Sequence, residues 1–190
     1  VNRAVGALAL AGGGSALILF TSYEALKSAY DAAAPGLEEQ GIRCFKQGDD
    51  DRSRLLAGFL SDNSSALFAT NSFWEGIDAP GDTLRLVILC RLPFRTPNTP
   101  VFEARCEILE KRGDNPFMNL SLPEAVMKFR QGFGRLIRRS GDRGVVAVLD
   151  GRLLHKRYGE YFLKSIPETG TCFSNFNTLL RETERFLYHH

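Results

Sequence analysis

The 190-residue chain has only four cysteines, Cys44, Cys90, Cys106 and Cys172, and no two form a Cys-x-x-Cys pair. The spacing therefore writes neither a zinc site nor a redox motif, and so few cysteines suit a reducing compartment rather than a disulfide-built scaffold. A phosphatase-type spacing, cysteine followed six residues later by arginine, is not met at Cys44, which leads to Asp50, or at Cys90, which leads to Thr96. Cys90 lies in an apolar run and reads as core. No apolar stretch reaches the roughly 18 residues of a membrane span, so no membrane partner is expected. "VNRAVGALALAGGG" superficially resembles a signal peptide, but the "ALILF" that follows reads as a strand. Gly12-Gly13-Gly14-Ser15 precedes that strand and is not continued by Gly-Lys-Ser/Thr, so it reads as a flexible turn and not a phosphate loop. No Walker-type acidic cluster appears elsewhere either, and no metal site is assigned. The three histidines, His155, His189 and His190, come late and form no nucleophile–base pair, with His155 in an amphipathic helix as packing or solvated surface.

What is present is enough for a core: 44% of the residues are apolar and 11% aromatic. The net charge is only +2, but from Lys128 to Arg157 nine Lys/Arg face two acids, Asp142 and Asp150. That block alone outweighs the net charge and suggests either a solvated face or a phosphate-facing one.

Strand and helix patterns alternate. Strands are predicted at 16–20, 42–47, 65–70, 84–92 and 144–150. Helices are predicted at 23–34 (stopped by Pro35-Gly36), 51–62, 101–113, 123–139 and, as one long element, 152–166. The alternation predicts an α/β fold with a mainly parallel sheet and helices on both faces. Residues 1–190 read as one domain, with an irregular, proline-rich insertion at about 93–122 carrying Pro93, Pro97, Pro100 and Pro116.

Function in such sheets gathers where strands end. After the first strand, Thr21 and Glu24 have capping-box spacing, and hydroxyls and free amides at a helix start also suit phosphate. After the third strand comes "TNSFWEGIDAPGD": Ser72 and Glu75 again have cap spacing, Gly76 allows a tight turn or a close ligand, and Asp78 stands before an Ala-Pro-Gly-Asp turn. Phe73 and Trp74 beside these polar groups read either as turn packing or as part of an active loop.

"QGFGRLIRR" (131–139) poses a sharper problem, because each glycine inside a helix costs about 1 kcal/mol relative to alanine. At about 100° per residue, with Gln131 at 0°, Arg135 falls near 40° and Arg138 near −20°. Val126, Phe129, Phe133, Leu136 and Ile137 fall at roughly 140–240°, on the opposite face. One side is core; the other is a narrow stripe of one amide and two guanidiniums, flanked by Gly132 and Gly134, which clear space beside it. Guanidinium forks so aligned suit a polyphosphate.

"FWEGIDAPGD…LVILCRLPF" and "QGFGRLIRRSGDRGVVAVLDGR", with "LILFTSYEAL" upstream, closely resemble the second motor domain of superfamily 2 helicases, in the DinG-type, iron–sulfur-associated branch that contains XPD. The likeness covers nearly the whole chain. It implies a RecA-like fold that closes on ATP held, with Mg, by a first, N-terminal motor domain of the same protein. It implies that Arg138 acts as the finger on the γ-phosphate, that Arg135 reaches the triphosphate and that Gln131 couples nucleotide to the facing domain. Glu75, Gly76 and Asp78 would line the cleft, and Thr21, Ser22, Asn71 and Ser72 would hold phosphates of single-stranded DNA. By the same analogy translocation runs 5′ to 3′, and the protein is cytoplasmic, nucleoid-associated in a bacterium. The phosphate loop, the acidic box and the cluster cysteines of the family are absent here. The chain is thus expected to be a nearly inactive fragment, with any iron–sulfur cluster belonging to the full-length protein. The alternative expectation is a non-catalytic module that binds single-stranded nucleic acid through the basic block.

Overall fold

The computed structural model describes residues 1–70, 73, 84–95, 99–136, 143–166 and 175–188, with Arg135 and Leu136 described as backbone. Five parallel strands form one sheet: β1 (Ala16–Phe20), β2 (Arg43–Lys46), β3 (Ser65–Thr70), β4 (Leu86–Leu89) and β5 (Val145–Val148), in the order β2-β3-β1-β4-β5. The helices are α1 (Asn2–Ala11), α2 (Tyr23–Glu39), α3 (Arg52–Leu60), α4 (Pro100–Lys111), α5 (Leu122–Leu136), α6 (Arg152–His155), α7 (Gly159–Ser165) and α8 (Phe176–Tyr188). A π-helical turn, Phe117–Ser121, leads into α5.

The strands are buried on both sides because alternate residues serve two cores. Leu17, Leu19, Leu67, Ala69, Val87 and Leu89 point to the face covered by α3, α5, α6 and α7. Ala16, Ile18, Phe20, Ala66, Phe68, Leu86 and Ile88 point to the face covered by α1, α2 and α8. The connection after β1 leaves toward the second face and that after β4 toward the first, an arrangement that opens a crevice at the carboxyl edge.

Several elements depart from expectation. The signal-like start is α1, with Val5, Leu8 and Ala9 buried against the sheet. Pro35 does not stop α2, which runs on to Glu39. Leu37, 3% exposed, reaches the core only if the helix continues, and burying it offsets the backbone bond that proline lacks. The single helix expected over 152–166 is broken into α6 and α7, with Lys156 extended between them. Leu153 and Phe162 both enter the first core. Nine residues apart on one straight helix, at about 100° each, they would face opposite ways. The break folds the chain so tightly that a Cβ at Gly159 would lie 1.9 Å from the Leu153 carbonyl oxygen. The sequence reading places nothing at α8. The turn at 12–15 is not a loose one: Gly13, Gly14 and Ser15 all have positive φ, and the Ser15 hydroxyl donates to the Asn63 carbonyl at 2.6 Å. Within 93–122, α4 and the π-helical turn are regular; α4 buries one residue, Phe102.

Candidate functional site

The site is built from the carboxyl edge of the sheet and from α5. At the end of β1, Thr21 is half-buried and Ser22 exposed. The helix cap is Ser22, not Thr21: its Oγ accepts from the Ala25 N–H at 3.3 Å, with extended backbone at φ −141° and ψ 151°. This corrects the capping box expected at Thr21 and Glu24. The Ser22 hydroxyl retains a proton to donate outward.

At the ends of β2 and β3, Gln47 supplies a link that the sequence reading missed. Its Oε1 accepts from the Thr70 N–H at 2.7 Å and the Thr70 hydroxyl at 3.0 Å. The two strand ends are thereby fixed beside each other, just before Asn71 and Ser72 in the sequence. Phe73 is 4% exposed and belongs to the core, which settles it as packing. The Arg52 guanidinium stacks 5.0 Å from its ring centroid and donates to its carbonyl at 3.1 Å. Gln47, Asp50, Arg52, Leu55 and Phe73 line an open groove of about 310 Å³.

At the ends of β4 and β5 a second unforeseen link appears. Asp150 accepts from the Leu92 N–H at 2.9 Å and the Arg152 N–H at 3.0 Å, and the Arg152 side chain binds both its oxygens at 2.6–3.0 Å. Burial pushes the Asp150 carboxyl upward, but the Arg152 guanidinium and the two backbone N–H groups outweigh it and hold the group below its usual range. Arg152 in turn stacks 5.5 Å from the centroid of Phe94. Because its folded value is lowered, the stabilisation from Asp150 is full above the ordinary carboxylate value of about 3.9 and is lost as pH falls through the lowered one. Arg152 is 40% exposed, so Asp150→Asn should cost about 1.5 kcal/mol at pH 7, at the low end for bonds to a charged group. Urea unfolding of both forms from pH 7 to pH 2 checks this; a gap that survives acid would contradict it.

On α5, Leu122, Ala125 and Phe129 are buried, and Val126 and Phe133 pack against the same core. Gln131 is exposed on the other side, as the phase requires. The glycines divide: Gly132 is buried, whereas Gly134 is exposed and a Cβ there would meet nothing within 4 Å. Arg135 continues the helix. Arg138, Glu75, Gly76, Asp78, Asn71 and Ser72 lie outside the described residues. The structure thus places Thr21 and Ser22 together at the carboxyl edge, and Gln131 on the exposed side of α5. His155 is exposed. Burial pushes the Cys90 thiol up to about 12 and does the same for Cys44, with Glu38 adding to it there, so neither is a ready thiolate. Among the described residues no three His, Cys, Asp or Glu side chains converge as metal ligands.

Comparison with known proteins identifies the family and the fold. Residues 6–169 match the family model of the helicase C-terminal domain. The chain is 44% identical over 155 residues to the 3'-5' exonuclease DinG of Bacillus subtilis, covering 80% of this chain and 17% of that protein. It is 43% identical over 160 residues to the ATP-dependent helicase DinG of Mycobacterium tuberculosis, covering 84% and 24%. With the ATP-dependent DNA helicase YoaA of Escherichia coli the identity is 41% over 157 residues, covering 83% and 24%. The chain therefore spans about a fifth of the length of these relatives. Among solved structures, S. cerevisiae Dbp5 bound to RNA and ADP BeF3 superimposes with a TM-score of 0.56 at 18% identity, over 98% of this chain and 42% of that one. This likeness shows a shared RecA-like fold.

Proposed function

Because the chain belongs to the helicase C-terminal domain family, we propose that it is the second motor domain of an ATP-dependent DNA helicase and works against a first motor domain of the same protein. The observation that carries this reading is α5: a helix with an aromatic face locked in the core, an exposed amide at Gln131 and a bare, open backbone at Gly134. An interior glycine costs a helix about 1 kcal/mol, and among the described residues nothing meets a Cβ at 134. The open backbone there leaves room for the facing domain to come close.

In this reading Arg138 meets the γ-phosphate, Arg135 the remaining phosphates, and Gln131 links nucleotide to the facing domain. Glu75, Gly76 and Asp78 line the cleft, with Asp78 at the ribose. ATP supplies the phosphoanhydride that is split, and magnesium is assigned to the first motor domain. Thr21, Ser22, Asn71 and Ser72 hold the phosphates of single-stranded DNA, which makes the grip independent of sequence. Closing and reopening of the two domains moves the strand 5′ to 3′. An iron–sulfur cluster, where the full-length protein carries one, is held outside this chain.

The test is ATP hydrolysis with and without single-stranded DNA, measured for the isolated chain and for the full-length protein that carries it. The isolated chain should stay at background while the full-length protein turns over and is stimulated by the strand. Robust hydrolysis by the isolated chain would refute the division of labour.

A further inference from the structure

Tyr23 opens α2 immediately after Thr21 and Ser22, and 48% of it is exposed. The core takes α2 through Leu26, Ala29, Ala33 and Leu37 and makes no use of this ring. The ring is nevertheless positioned. Its hydroxyl end lies over Gly48, where an added Cβ would sit 2.7 Å from the hydroxyl oxygen and 3.4 Å from the ring carbon that bears it. Gly48 itself has φ +102°, a conformation that keeps side chains out of this spot. The loop from β2 to α3 thus presents bare backbone to one end of the ring and leaves about half of the residue to solvent. The same loop continues directly into the groove lined by Gln47, Asp50, Arg52, Leu55 and Phe73. Close by, Lys46 pairs with Asp49 at 3.1 Å, and its ammonium lies 4.8 Å from the centroid of the Tyr30 ring.

We infer that Tyr23 is a stacking platform for a base of the single strand whose phosphates Thr21 and Ser22 hold. A half-exposed aromatic ring, braced at its hydroxyl end and set beside hydroxyl groups at a strand end, is what a sequence-independent strand track requires, since every base offers a π-face. This assignment rests on the helicase reading above and adds to it a base contact at a residue that the phosphate contacts do not include.

The experiment titrates a fluorescein-labelled oligodeoxythymidylate with the full-length protein at several salt concentrations, using wild type, Tyr23→Phe, Tyr23→Leu and Tyr23→Ala. Stacking predicts that Tyr23→Phe binds as wild type, while Tyr23→Ala and Tyr23→Leu bind about ten-fold more weakly. The dependence of log affinity on log salt should keep its slope, because no phosphate contact is removed. Thermal melts of each variant confirm that the fold is retained, as expected for so exposed a residue. If wild type binds the strand and Tyr23→Ala binds within two-fold of it, stacking is overturned while the helicase reading stands. If Tyr23→Phe loses affinity as Tyr23→Ala does, the contact is made by the hydroxyl and stacking is again overturned. A wild-type protein that binds no single strand overturns both.

Discussion

Arg138→Ala in the full-length protein should lower DNA-stimulated ATP turnover by about 10³ to 10⁵, the range found when an arginine finger is removed from a phosphoryl-transfer site. The reason is electrostatic: charge on the transferring phosphoryl group grows in the transition state, and a guanidinium placed there stabilises it without reorganising. Binding of single-stranded DNA should remain largely intact, because Arg138 is not among the residues proposed to hold the strand. Arg138→Lys should rescue little, since a point charge does not replace a planar fork. Steady-state turnover at saturating DNA, with affinity for the strand measured in parallel, checks both halves. Unchanged turnover would remove Arg138 from the site.

The largest stability effect is expected at Phe162. It is fully buried, and its ring meets Phe94 at 5.7 Å and Phe129 at 5.4 Å, both edge-on. Phe162→Ala should cost about 3–5 kcal/mol, combining lost burial with the cavity left behind. That is a large part of the 5–15 kcal/mol typical of a whole domain. For a chain of this size each kcal/mol lowers the melting temperature by about 2–4 °C, so a fall of roughly 6–20 °C is expected. Phe129 lies on the core face of α5, so the same cavity loosens the helix that carries Gln131. Phe162→Leu should recover much of the loss. Urea denaturation of the three forms decides the matter, and a cost below 1 kcal/mol for the alanine form would show that the site collapses around the gap.

β1, β3, β4 and β5 were legible because each is a short apolar run, and the phase of α5 was legible because Phe129 and Gln131 are fixed by helical geometry alone. What escaped depends on partners distant in sequence. Pro35 looks like a stop until Leu37 is seen to need the core. The break between α6 and α7 answers to Leu153 and Phe162 sharing one cluster, which a local pattern does not encode. For α8 the signal was present, since Phe176, Leu179, Leu180, Thr183 and Leu187 follow helical spacing. At the edge, Thr21 and Ser22 are neighbouring hydroxyls, and only backbone geometry tells which one caps. Gln47 and the Asp150–Arg152 link were illegible for a different reason: each joins two strand ends, so neither writes a motif in either strand.

Those two cross-ties have a mechanical meaning. Gln47 fastens β2 to β3, and Asp150 fastens β4 to β5, while β1 lies between β3 and β4 with core packed against both of its sides. A slab tied in this way yields little within its own plane. In the motor proposed above, a push delivered to α5 would arrive at Thr21 and Tyr23 with little lost to internal bending, and the stroke would be a tilt of the entire body.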